Sequence, residues 1–205
     1  MKKLCCLLLA ALMLFSLTAC MPNLSDLRDE FFSEEPSALP SPSPLPSPSP
    51  EATINPSMVL SEEEIAQMVE RAKTAVVTQD DIEYFVDGAY PIMMDTQNLA
   101  TLLQKVDTDT IAPDNTSEWK PLLQQISDEA GALSARFSAL TPSENFADFQ
   151  RLMILGYDCY VSSMDLLIES EGEDISKMFL AVDYMLQGNT YINGANSIMS
   201  NMPVE

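Results

Sequence analysis

Apolar side chains recur at alternating steps of four and three residues from position 119 to position 140, over three heptads. An α-helix brings residues at this spacing onto one face, whereas a half-buried strand would alternate at every second residue. The segment therefore predicts an amphipathic helix with one buried face. That face consists of Trp119, Leu123, Ile126, Ala130, Leu133, Phe137 and Leu140.

The chain before this segment shows the same helical spacing from about residue 58. Ser61 and Glu64 predict a capping box at a first helix, and Thr78 and Asp81 could form a second one. A second helical stripe runs from Phe85 to Val106 and contains a proline, which should either kink or split the helix. The first helix has an apolar face of Ile65, Met68, Val69, Ala72 and Val76, and the second stripe comprises Phe85, Ala89, Ile92, Thr96, Leu99, Leu103 and Val106, with Pro91 inside it.

Two further helices are predicted after residue 140. Thr141 and Glu144 suggest a capping box for a helix over 142–171, which Gly172 should end. The last helix should run from about Asp174 to about residue 200, with one face made of Ile175, Met178, Val182, Met185, Ile192 and Met199. Because the turns between these helices are short, neighbours should be antiparallel. We expect residues 58–205 to form an all-α, up-and-down antiparallel bundle of four to five helices.

A proline- and serine-rich tract, PSALPSPSPLPSPSP, occupies residues 36–50. Alternating prolines cannot donate to a helix or a sheet ladder, so the tract favours polyproline II. At about 3.1 Å per residue, it could extend for roughly 45 Å. We expect residues 20–57 to form a disordered, semi-rigid tether between the bundle and whatever holds the amino terminus.

The first 20 residues, MKKLCCLLLAALMLFSLTAC, combine two lysines, an apolar run too short to span a membrane comfortably, and a small-residue exit. The exit, Leu17-Thr18-Ala19-Cys20, resembles the lipobox of bacterial lipoproteins. The resemblance implies that residues 1–19 are a signal peptide removed by cleavage. It also implies that Cys20 carries a diacylglycerol on its thiol and that fatty acids such as palmitate anchor the chain in the cell membrane. Two fatty chains hold a protein stably, whereas one holds it marginally.

The composition narrows the range of functions. The chain has a net charge of −21, and loss of Lys2 and Lys3 with the signal would bring it to −23. Binding to nucleic acid requires clustered basic residues, so we do not expect it. Histidine is absent, which removes catalytic and metal sites built on imidazole. Cys5 and Cys6 lie in the signal and Cys20 is the lipid site, so Cys159 has no disulfide partner within the mature chain.

Three sets of side chains are candidates for chemistry. Cys159 has no cationic neighbour in sequence and should be a buried, inert thiol. The acidic clusters around residues 62–64, 80–81, 107–109 and 169–174 match no calcium loop and fit helix starts or solvated surface, with a weak cation site as the alternative. Asn189, Asn193 and Asn196 lie along the last helix. They could fix the packing, face water, or form a polar patch that contacts a partner.

These features predict an extracytoplasmic, membrane-anchored lipoprotein that acts as a non-catalytic binding or scaffold module, without a cofactor or a metal. The expected partner, besides the membrane that holds Cys20, is an envelope protein or a cell-wall component. The alternative is a lipid-anchored enzyme or solute-binding component that uses carboxylates or a weak cation site. Solute-binding lipoproteins usually need α/β domains, and no strand pattern is visible in the sequence.

Overall fold

The computed structural model describes residues 59–106, residue 111 and residues 115–203, and these form an all-α bundle without strands. The bundle confirms the predicted fold class. The predicted signal peptide, the lipid site at Cys20 and the Pro/Ser tether lie outside the described residues.

Helix α1, Glu62–Ala72, begins at the predicted capping box. The Ser61 hydroxyl accepts a hydrogen bond from the Glu64 backbone N–H at 3.2 Å, and the Glu64 carboxylate accepts one from the Ser61 N–H at 2.8 Å. Ile65, Met68 and Ala72 are buried as expected. Val76 is 79% exposed, which corrects the predicted face, because the helix ends before it.

The first helix ends at Ala72 and a new one begins after Thr78. The bundle therefore has five helices, as one form of the prediction had it, if α2 and α3 are counted as one continuous helix. Helix α2, Gln79–Glu83, starts at a second capping box between Thr78 and Asp81, as the sequence suggested. It passes through a π-helical turn, Tyr84–Ala89, into helix α3, Tyr90–Leu103. The Tyr90 N–H donates to the Phe85 carbonyl, five residues back. Pro91 lies directly after this wider turn and does not split the helix. Proline has no backbone N–H to donate, and Pro91 lies where the π-helical hydrogen-bond pattern gives way to the α-helical one.

Helix α4, Thr116–Ser138, confirms the strongest sequence pattern. Its predicted face is buried from Trp119 to Phe137, and Leu140 just beyond the helix packs partly buried against the core. Phe137 lies 6.0 Å, centroid to centroid, from the stacked ring of Tyr157 and is fully buried. This face therefore lies at the centre of the bundle.

Helix α5, Ala147–Ser170, begins later than predicted. Thr141 and Glu144 form no capping box, because Ser143 is extended and a 3₁₀ turn, Glu144–Phe146, precedes the helix. The Asn145 side chain in this turn instead donates to the Val76 carbonyl at 3.0 Å and to the Asp81 carboxylate at 2.9 Å. The turn is thus tied to the α1–α2 connection rather than wound into the helix.

The connection from α5 to α6 is tight. Glu171 takes the left-handed backbone conformation at φ 54°, and Gly172 follows at φ 76°. The helix therefore ends at Ser170, one residue earlier than predicted, and Glu171 and Gly172 both turn the chain. Helix α6, Ile175–Asn201, is capped by Asp174, whose carboxylate accepts the Lys177 N–H at 3.2 Å.

The buried face of α6 agrees with the prediction only in part: Ile192 and Met199 are buried as expected. Ile175 is 65% exposed, and Val182 and Met185 are only half-buried. Most of the other residues of α6 that enter the core are small or carry a hydroxyl, and two are large and aliphatic: Ala181, Tyr184, Gly188, Tyr191, Gly194 and Ala195, with Leu180 and Ile198. The reason is the close approach of α5, since a Cβ atom added at Gly188 would lie 3.0 Å from the Gly156 carbonyl oxygen.

Successive long helices run antiparallel. Between α4 and α5, Ser134 bonds to Asp158 and Ser127 bonds to Asp165, so residue numbers rise on one helix as they fall on the other. The order of packing is α3 against α4, α4 against α5, and α5 against α6. Helix α1 packs on the carboxyl half of α6, where Ile65 lies against Gly194. The amino-terminal half of α6 extends beyond these contacts with α1.

Candidate functional site

The three asparagines singled out in the sequence occupy three different environments. Asn189 accepts a hydrogen bond from the buried Tyr160 hydroxyl at 2.6 Å, which ties α6 to α5. Asn193 is exposed. Asn196 is partly buried, and neither its Oδ1 nor its Nδ2 has a hydrogen-bond partner in the part of the chain that the structure describes. The packing explanation fits Asn189 and the water-facing one fits Asn193. Partner contact through these residues stays a prediction.

Four buried tyrosines hold the bundle together through their hydroxyl groups. Tyr157 pairs with the Thr96 hydroxyl at 2.7 Å, and the Tyr191 oxygen accepts the Leu60 backbone N–H at 2.7 Å. Tyr84 donates to Gln150 at 2.8 Å, and Tyr160 bonds to Asn189. Burial raises the pKa of all four phenols, so they stay neutral at physiological pH. Each joins two segments distant in sequence and serves the fold.

Cys159 is fully buried in the middle of α5. Burial, helped by the neighbouring Asp158 charge, raises the pKa of its thiol to about 12. The reactive form of cysteine is the thiolate, so this side chain is protonated and shielded at neutral pH. The expectation that Cys159 is a buried cysteine is confirmed.

Asp81 is the most deeply buried carboxylate among the residues that the structure describes. Burial alone would raise its pKa, but the hydrogen bonds that its carboxylate accepts from Thr78 and Asn145, with the Ser143 hydroxyl nearby, outweigh burial and lower the pKa below its ordinary value. The group is therefore ionised at neutral pH and acts as a cap for α2. Elsewhere among the described residues, no three acidic or cysteine side chains converge in a way that could hold a metal ion.

The exposed surface of α6 carries a feature that the sequence reading missed. Ile175 is 65% exposed and Phe179, one helical turn later, is 43% exposed, and Asp183 follows at the same interval of four. We call Ile175 and Phe179 the α6 patch. The apolar periodicity of the sequence predicts Ile175 on the buried face and predicts no role for Phe179. The acidic run just before Ile175 marked the segment as solvent-facing and could have revealed the patch.

No family model, no curated protein and no solved structure matches this chain. None of the described helices is long and apolar enough to cross a membrane.

Proposed function

We propose that this chain is a cell-envelope lipoprotein, held on the extracytoplasmic face of the membrane through Cys20, whose helical bundle acts by contact rather than by catalysis. The observation that carries the proposal is how the bundle uses its reactive groups. The Cys159 thiol is buried and protonated, and Asp81 is occupied by the capping of α2. The hydroxyls of Tyr84, Tyr157, Tyr160 and Tyr191 bond one helix or segment to another. Chemistry at a site needs such groups free and facing a substrate.

The sequence supports the anchor. The motif Leu17-Thr18-Ala19-Cys20 supplies the attachment residue, and the Pro/Ser tract over 36–50 supplies a spacer before the bundle. A lipidated amino terminus, a stiff spacer and a compact helical body together present a surface at a distance from the membrane. That arrangement suits a binding or scaffold module whose partner is another envelope protein or the cell wall.

Anchoring is tested by metabolic labelling with a fatty-acid probe and by partitioning into detergent. The wild-type chain should be labelled and should enter the detergent phase. Cys20→Ala should lose the label and be released or left unprocessed, while Cys159→Ala should behave as the wild type. If wild type and Cys20→Ala both appear as the same soluble, cleaved protein, the lipid anchor is wrong.

Contact is tested by crosslinking in native cells, with a photoreactive residue introduced at exposed positions on each long helix. We expect crosslinks to a macromolecule from one face of the bundle and none from the others. The crosslinked partner is then purified with the wild-type chain and with the Asn193→Ala and Asn196→Ala variants, to test whether the predicted asparagines belong to that face. Turnover of a small molecule by the purified chain, abolished by a carboxylate substitution, would replace this proposal with the lipid-anchored enzyme.

A further inference from the structure

Helix α1 is held less firmly than the long helices of the bundle. It buries three of its eleven residues, Ile65, Met68 and Ala72, whereas α5 buries twelve of its 24. Its ion pair with α5 joins Arg71 to Asp148 at 2.7 Å, but the arginine side chain is 60% exposed, so solvent screens the pair. Elements with few buried apolar side chains open before the rest of a fold. We therefore expect α1 to leave its place as a unit while the long helices stay packed.

Both ends of α1 are compatible with such movement. The capping box at Ser61 lies within the helix itself, so the cap is kept when α1 moves. Residues 73–78 connect α1 to α2, and Val76 in this connection is 79% exposed. The Asn145 side chain donates to the Val76 carbonyl at 3.0 Å, which holds the far end of the connection in place. The movable unit is therefore α1 with the part of the connection before Val76.

The surface beneath α1 is shaped for a helix. Gly194 leaves a notch in α6, because a Cβ atom there would lie 2.7 Å from Cγ2 of Ile65 and 3.1 Å from Cδ1 of Leu152. The Ile65 side chain fills this notch. Beside it, the Tyr191 hydroxyl oxygen accepts the Leu60 backbone N–H at 2.7 Å. We call Leu152, Tyr191 and Gly194 the α1 groove.

The occupant that this groove fits is a helix with the sequence of α1. The groove receives a β-branched side chain and, five residues before it, a backbone N–H, and α1 supplies both. A second copy of the chain carries the same helix, and if two copies exchanged their α1 helices, each contact would form again and both grooves would stay filled. The net charge of −21 opposes the approach of two copies, but the exchanged contact adds no carboxylate that α1 does not already place there.

We propose that α1 is an exchangeable arm, which binds the α1 groove of a second copy of the chain and so joins neighbouring copies on the membrane. The inference rests on the proposed anchored contact function and names a second copy as a partner. Anchoring confines the copies to one surface and raises their local concentration. Six extended residues of the connection reach about 20 Å, which lets α1 move away from its own groove.

Disulfide trapping between separate chains tests the arm directly. Cγ2 of Ile65, one bond from its Cβ, lies 2.7 Å from the Cβ position of Gly194, and disulfides join Cβ atoms about 3.5–4.5 Å apart. Ile65→Cys and Gly194→Cys are made in two full-length chains with different tags, and the two are co-expressed in native cells. After mild oxidation of the membranes, we expect a disulfide-linked dimer that carries both tags and is lost on reduction.

Matched pairs decide whether the trapped contact is specific. Glu63 is exposed on α1, so Glu63→Cys with Gly194→Cys should give no dimer above the background of random collision. Ile65→Cys and Gly194→Cys placed in one chain show that the two positions meet and that the variant folds. If the disulfide forms within this double variant but never between separate chains, the exchangeable arm is refuted. A dimer of equal yield from the Glu63→Cys pair refutes it as well.

Changes in the length of the connection decide the inference even if Gly194→Cys does not fold. Deletion of Thr74 and Ala75 shortens the reach of α1 to its own groove and should raise the dimeric fraction of the purified chain in detergent micelles. Insertion of a flexible Gly-Ser-Gly-Ser segment at the same place should lower that fraction. Sedimentation measures the dimer, and circular dichroism confirms that each bundle is intact. Equal dimeric fractions in both variants, or only monomers after shortening, would overturn the exchange.

The remaining outcomes separate this inference from the proposed function. Trapping should fall by about tenfold or more when both chains also carry Cys20→Ala, because release from the membrane dilutes the copies. If Cys20→Ala removes the fatty-acid label and trapping is unchanged, the role of the membrane in the exchange is refuted. Photocrosslinks to a different macromolecule without any trapping refute the arm and leave the contact function standing. Turnover of a small molecule refutes the contact function instead, and the trapping experiment still decides the arm.

Discussion

Helices α4 and α6 are both long, and both show a stripe of large apolar residues in sequence. They differ in which residues they bury. In α4 the stripe is the buried face, from Trp119 to Phe137. In α6 the stripe lies partly at the surface, and the core side carries Ala181, Gly188 and Ala195 among tyrosines. The difference is the distance to the neighbour. Gly188 and Gly156 bring α6 and α5 so close that large side chains fit only beside the contact.

The largest difference between the two helices should appear when a phenylalanine is removed from each. Phe137→Ala deletes a fully buried ring that stacks on Tyr157, so the free energy of unfolding should fall by about 3–5 kcal/mol. Phe179→Ala removes a ring that is 43% exposed and should cost much less. Urea unfolding of both variants measures the difference. Equal losses would contradict the assignment of α4 as the more deeply buried of the two stripes.

Alanine in place of glycine should have opposite effects on the two helices. At Gly188 the added Cβ would meet the Gly156 carbonyl at 3.0 Å and the Cys159 Cβ at 3.2 Å, so Gly188→Ala should destabilise the bundle by about 1–3 kcal/mol. At Gly131 in α4 the nearest atom would be 3.8 Å away, so Gly131→Ala should stabilise it by about 0.5–1 kcal/mol. Thermal unfolding checks both signs, and stabilisation by Gly188→Ala would refute close packing as the reason for the shifted face.

Two asparagines sharpen the comparison within α6. Asn189→Leu leaves the buried Tyr160 hydroxyl without its acceptor and should cost about 1–3 kcal/mol. Asn196→Leu replaces a side chain whose buried polar atoms are unpaired, so stability should be unchanged or higher, by up to about 1 kcal/mol. Urea unfolding of the two variants side by side measures this contrast. A large loss of stability for Asn196→Leu would show that the Asn196 amide makes a stabilising hydrogen bond that is not among the described contacts.

The smallest expected effect concerns the polar margin of α4. The Ser134 hydroxyl donates to Asp158 at 2.6 Å, so Ser134→Ala should cost about 1 kcal/mol. Ser138 is exposed on the same helix, and Ser138→Ala should change stability by less than about 0.5 kcal/mol. Chemical denaturation resolves this difference only if the two variants are measured in parallel. An equal loss of stability at both positions would show that the Ser134–Asp158 hydrogen bond does not stabilise the contact between α4 and α5.

Where local signals are strong, the sequence predicted structure to the residue. The capping boxes at Ser61 and at Thr78 depend on side chains three residues apart, so no distant contact is needed to form them. The similar motif at Thr141 failed, because Asn145 is drawn into hydrogen bonds with Val76 and Asp81, more than sixty residues earlier. The asparagine prediction identified three residues on one helix, but their different environments depend on what α5 brings to each.

By itself, the sequence determined that the described part of residues 58–205 is built of helices, where α1 and α2 begin, and that α4 turns its apolar face inward. The lipid site at Cys20 stays a prediction. Periodicity and caps act within a few residues, so these properties do not depend on the neighbours. Only the tertiary structure decided that α6 buries its glycines and alanines, that Pro91 follows a π-helical turn within a continuous helix, and that Ile175 and Phe179 stay at the surface. Each of these depends on how closely another helix approaches, and that distance is set by all the side chains between the two helices at once.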